Sequence, residues 1–89
     1  MSSLRVVHDS GDQFSADIRG HTVVVDQPIA EGGGDAGPTP TELFVAGLAT
    51  CVAHYARGYL TRHGLDTAGL SVAVDWEFAT DRPSRVGRI

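Results

Sequence analysis

The chain has 89 residues, is 42% hydrophobic and 20% charged, and carries a net charge of −4. That length holds one domain, residues 1–89, and the composition is that of a folded chain rather than a disordered one. The acidic balance argues against nucleic acid or an anionic membrane as main partner, and no apolar run approaches the roughly 18 to 20 residues of a membrane span.

Residues 4–8 (LRVVH), 13–19 (QFSADIR) and 21–27 (HTVVVDQ) alternate apolar and polar side chains or are β-branched. They predict an antiparallel meander of two or three strands. Phe14, Ala16 and Ile18 point one way on their strand, and Val23 and Val25 share one face of theirs. Gly11-Asp12 and Gly20 mark the turns, and Pro28 ends the run.

Residues 31–40, EGGGDAGPTP, hold four glycines and two prolines and predict a connector, flexible or tightly turned. The tract lacks the GK[ST] of a nucleotide-binding loop. Thr39, Pro40 and Glu42 then spell a helix start. Thr39 is the N-cap, Pro40 the first helical residue and Glu42 the acid of a T-x-x-E capping box. The helix is expected to run to about His63, with Gly64 as its left-handed stop.

Leu43, Phe44, Val45, Leu48, Val52 and Tyr55, with the alanines between them, are apolar all round the helix axis. Such a helix is expected to be buried on every side. A small sheet covers one side only, so a second copy of the chain is expected to cover another, in a homodimer. Residues 70–78, LSVAVDWEF, alternate and predict a half-buried strand. A loop is expected around Asp81 to Ser84, and the closing VGRI reads as the opening of another strand. The expected fold class is α+β, in the order β-β-β-α-β.

Cys51 is the single cysteine, so these residues can form no internal disulfide and no multi-cysteine zinc site. The expected compartment is the cytoplasm. The helix places Cys51 on one face with Gly47, Leu48, His54 and Tyr55. It is either a nucleophilic thiolate, favoured by His54 one turn away, or a small buried hydrophobe. Arg5, Arg19 and Arg57 could pair with a thiolate or stand as solvated charges. His8, His21, His54 and His63 show no metal-ligand spacing, and no metal or cofactor is expected. Glu42 has a capping role; nine residues of helix, about 13 Å, keep it from Cys51 on the same helix, and it could approach a cysteine only across a dimer interface.

The run GGGDAGPTPTELFVAGLATC, Gly32 to Cys51, resembles the OsmC/Ohr family, the osmotically inducible protein C and organic hydroperoxide resistance proteins. Asp26 and Pro28 before it, and the Gly64-Leu65 turn after it, also match the form of OsmC-like members. The resemblance implies an intertwined homodimer around a long buried central helix. It implies a thiol peroxidase in oxidative or osmotic stress defence, with Cys51 attacking an organic hydroperoxide and an Arg and a Glu beside the thiolate. Catalytic candidates are therefore Cys51, Glu42, Arg19 and His54, and the partners are a hydroperoxide and an external thiol reductant.

The chain departs from the family pattern in three ways. The resolving cysteine and the C-terminal helix that carries it are missing from these residues, so the chain is expected to be a truncated or partial form. The acid expected ten residues before the cysteine is Thr41 here, with Glu42 one residue and about 100° of helix rotation later. Neither Arg5 nor Arg19 falls at an obvious match to the family's arginine. These departures keep open a non-catalytic form, or a dimer that binds a small ligand, with an inert buried Cys51.

Overall fold

The computed structural model describes residues 1–78 and 86–88. The chain divides into two units, Met1–Leu43 and Phe44–Ile89. In the first, β1 (Arg5–Ser10), β2 (Gln13–Ile18) and β3 (His21–Val25) form an antiparallel meander in the order β1-β2-β3. Register follows from the side-chain alternation. Val6 pairs Ala16, and Ala16 pairs Val23; His8 pairs Phe14, and Phe14 pairs Val25. These two cross-strand rows lie on one face, and they contain the buried Ala16 and Val25.

The His8 and Phe14 rings meet at 5.1 Å between centroids. The register slips between His8 and Ser10, which leaves Asp9 as the extra residue. Its carboxylate accepts hydrogen bonds from the Gln13 side chain at 3.2 Å and the Ser15 hydroxyl at 2.5 Å.

Arg19 does not lie on a strand. The β2–β3 pairing closes at Ile18 opposite His21, so Arg19 and Gly20 form a two-residue turn with φ of 53° and 82°. Two positive φ values match the right-handed twist of a hairpin, and the first position favours Asn or Asp. An arginine there carries the steric cost of a left-handed conformation.

β3 is followed by a single 3₁₀ turn, Ile29–Glu31, and then by the glycine-rich segment. Helix α1 (Pro40–Arg62) starts and stops where its end residues dictate. The Thr39 N–H donates to Glu42 Oε1 at 2.8 Å, and the Glu42 N–H donates to Thr39 Oγ1 at 3.1 Å, a complete capping box. At the other end Gly64 has φ 67°. Its N–H reaches the Thr61 carbonyl at 3.1 Å, and the Leu65 N–H reaches the Leu60 carbonyl at 2.8 Å. These two bonds make a Schellman stop.

Burial of α1 differs from expectation. Val45 is its one buried residue, at 2% exposure, while Val52 is 59% and Tyr55 70% exposed. The described residues of a single chain do not supply the cover that an all-round apolar helix requires.

The strand expected at 70–78 is paired only at its end, where β4 (Glu77–Phe78) runs antiparallel to β5 (Val86–Arg88). Burial alternates only from Ala73 to Glu77, where Val74 and Trp76 are half-buried and Ala73, Asp75 and Glu77 exposed; Leu70 and Val72, expected on the half-buried face, are exposed. Alternation specifies two faces but not a neighbour, and residues 71–76 have no ladder among the described residues. The loop expected at Asp81 to Ser84 lies outside the described residues.

Replacing Arg19 by Asn is expected to raise the free energy of unfolding by about 0.5 to 1 kcal/mol, read from denaturant titration. An unchanged or lower stability would mean that the turn does not strain the arginine.

Candidate functional site

The glycine-rich segment is organised by Asp26, which is 2% exposed. Its Oδ1 accepts the Gln27 N–H at 2.7 Å, and its Oδ2 accepts the N–H groups of Gly34 at 3.2 Å and Ala36 at 3.1 Å. Its own N–H donates to the Pro38 carbonyl at 3.0 Å, and the Asp35 N–H donates to the Gln27 carbonyl at 3.0 Å. A buried carboxylate is tolerated when donors replace its water, and here the donors are all main chain.

The segment lies so close to the end of β3 that side chains are excluded at two positions. A Cβ on Gly33 would overlap the Gln27 carbonyl, and one on Gly37 would overlap the Val24 carbonyl. Of the two connector readings, this segment takes the tightly turned one. The role of Asp26 is a feature that sequence reasoning missed. The available signal was an Asp at a strand end followed by a run rich in glycine, whose open N–H groups suit Asx-type bonding.

The candidate residues fall as follows. Cys51 is a free thiol midway along α1, exposed in the single chain. His54 stands three residues on, on the same helical face, and its ring meets that of Tyr55 edge-on at 5.6 Å. Glu42 is exposed in the first turn, its Oε1 engaged by the Thr39 N–H. Arg19 is exposed at the hairpin tip of the first unit. Arg5 opens β1, and Arg57 is exposed on α1. Thus α1 carries Cys51, His54 and Glu42, while Arg19 belongs to the turn between β2 and β3. Among the described residues, no three His, Cys, Asp or Glu side chains group as a metal site would require. No helix among them is long and apolar enough to cross a membrane.

The family model for OsmC-like proteins matches residues 32–89, which include the glycine-rich segment, α1 and Cys51. The chain belongs to the OsmC-like family. In structure this OsmC-like chain is similar to an osmotic stress induced and detoxification response protein from Psychrobacter arcticus 273-4, with a TM-score of 0.85 at 25% sequence identity. The match covers 97% of this chain and 64% of that one, so the chain spans less than two thirds of that relative's length. No curated protein matches it in sequence.

The N–H groups of Gln27 and Ala36, aided by Gly34, hold the Asp26 carboxyl below its ordinary value, although burial acts the other way. A lowered folded value means that the unfolded chain takes up the proton at higher pH. The stabilisation from Asp26 is then complete above its ordinary value of about 3.9 and is lost as pH falls through the folded one. Unfolding followed from pH 6 to pH 2 is expected to show a loss of stability in this acid window that Asp26→Asn lacks. An equal acid slope in both proteins would show that the carboxylate contributes nothing through its charge.

Proposed function

We propose that this OsmC-like chain is a thiol-dependent peroxidase that reduces organic hydroperoxides through Cys51 in oxidative or osmotic stress defence. The observation that carries the reading is a free, exposed thiol midway along the helix of the family-matched segment. The stress response named for the Psychrobacter relative supports the same assignment.

In the proposed reaction the Cys51 thiolate attacks one oxygen of the hydroperoxide. The O–O bond breaks, the alkoxide takes a proton and leaves as an alcohol, and the sulfur is oxidised to a sulfenic acid. An external thiol condenses with the sulfenic acid, releasing water and forming a mixed disulfide. A second external thiol attacks that disulfide, returning Cys51 to the thiol and leaving the reductant as its own disulfide. His54 on the same face, an arginine such as Arg19, and Glu42 brought to the thiol of the other copy across the dimer interface are the groups proposed to favour the thiolate or polarise the peroxide. The cytoplasm is the proposed compartment, since its reducing thiol pool suits a free cysteine.

The working form is proposed to be a homodimer. Phe44, Leu48, Val52, Tyr55 and Tyr59 recur at steps of three and four along α1 and are all exposed in the single chain. A second copy would remove this stripe from water and with it change the surroundings of Cys51.

Cumene hydroperoxide consumption with excess dithiothreitol is expected to show repeated turnover in the wild type and none in Cys51→Ser. Turnover retained in the Ser variant would end the thiol mechanism. No turnover in either protein would favour a binding role for the dimer. Val52→Glu is expected to convert a sedimenting dimer into monomers. A variant that sediments as the wild type does would remove the stripe from the interface.

A further inference from the structure

One peptide group joins two features described separately above. The Pro38 carbonyl accepts the Asp26 N–H at 3.0 Å, and the N–H of the same peptide unit, that of Thr39, donates to Glu42 Oε1 at 2.8 Å. The unit is planar and rigid, so fixing its oxygen restricts the direction in which its N–H points. A bond accepted at the oxygen also polarises the N–H, which strengthens the bond made at the far side. The donor to that oxygen is itself immobile, because the Asp26 carboxylate is held by the N–H groups of Gln27, Gly34 and Ala36.

We infer that Asp26 is a positioning residue for the Glu42 carboxylate, acting through the Pro38–Thr39 peptide. Glu42 is exposed, and a glutamate without such a tether samples several rotamers. The relay selects the rotamer that lies back over the helix entrance and makes its orientation depend on a buried residue 16 positions earlier. Only the consequence for peroxide chemistry rests on the thiol-peroxidase reading. The positioning itself stands on the hydrogen bonds of the first unit.

The experiment is a double-mutant cycle on amide exchange, using the 89-residue chain with Asp26→Ala, Glu42→Ala and the pair. Asp26→Ala is expected to speed exchange at Gly34, Ala36 and Thr39 by roughly tenfold, the worth of one hydrogen bond, while Val6 and Ala16 in the β1–β2 hairpin keep their protection. Glu42→Ala is expected to speed Thr39 by a similar factor. The double variant is expected to exchange at Thr39 no faster than the faster single variant, because both changes break one relay.

Multiplying factors at Thr39 would overturn the inference, as would loss at Gly34 and Ala36 with Thr39 untouched. If the hairpin amides show that Asp26→Ala does not fold, Asp26→Asn replaces it in the cycle. Cumene hydroperoxide turnover on the same proteins is read separately. An inactive wild type with a non-additive Thr39 would end the peroxidase reading and leave the positioning intact.

Discussion

The arrangement of the first unit depends on a buried carboxylate satisfied by main chain. Asp26 follows directly on β3 and sits between the sheet and the helix entrance in the chain's path. Four hydrogen bonds to backbone groups make it the fixed point from which the segment to Thr39 is hung. Removing the carboxylate would strand N–H donors close to other backbone, where water has little room to replace it. The glycines at 33 and 37 belong to the same constraint. They allow the segment to lie against the carbonyls of Gln27 and Val24, which a Cβ would prevent. A tract whose composition suggests freedom is thus closely held, and the absence of side chains is what permits the holding.

Signals that act over four or five residues were legible before the structure. The T-x-x-E start and the Gly64 stop of α1 need only their own neighbours, and both form as expected. The meander was equally legible, because alternation and turn residues together specify a local antiparallel register. The misreadings are those in which the deciding partner is remote or the change of state is abrupt. Arg19 continues the alternation of β2 in sequence, but a two-residue turn between Ile18 and His21 requires it off the strand. The 70–78 segment alternates in burial only from Ala73 to Glu77, and among the described residues only Glu77 and Phe78 pair, because pairing belongs to two segments and a pattern belongs to one.

The candidate site was legible in its parts and not in its connections. Cys51, His54 and Glu42 are all on α1, as the pattern of the Gly32–Cys51 run indicates. What no spacing rule discloses is that the Glu42 carboxylate is tied to the same peptide that Asp26 holds. Asp26 carries a charge at the end of a β-branched run, a position that composition alone assigns to solvent. The structure buries it, because ten residues of loop return to supply its donors. The exposure of Phe44, Leu48, Val52, Tyr55 and Tyr59 has the opposite origin. Their sequence pattern asks for cover on several sides, and the described residues of one chain leave it unmet.

The capping box and the proposed thiol chemistry draw on the same carboxylate in compatible ways. An N-terminal acid on a helix lowers the cost of its unpaired N–H groups, and that role needs the charge at one place. Chemistry at a thiol needs the charge to be defined in direction as well, since a mobile carboxylate is averaged and screened by water. A capping box alone leaves the Thr39 peptide free to rock with the loop that precedes it. Holding that peptide from its oxygen side removes this freedom without touching the carboxylate, whose second oxygen is not spent on the cap bond. The box folds the carboxylate back toward Thr39, away from Cys51 nine residues further along the same helix, so a role for Glu42 in thiol chemistry is a proposal for the thiol of a second copy. Displacement along a helix changes where a side chain starts, whereas the relay through Pro38 and Thr39 governs where its charge ends.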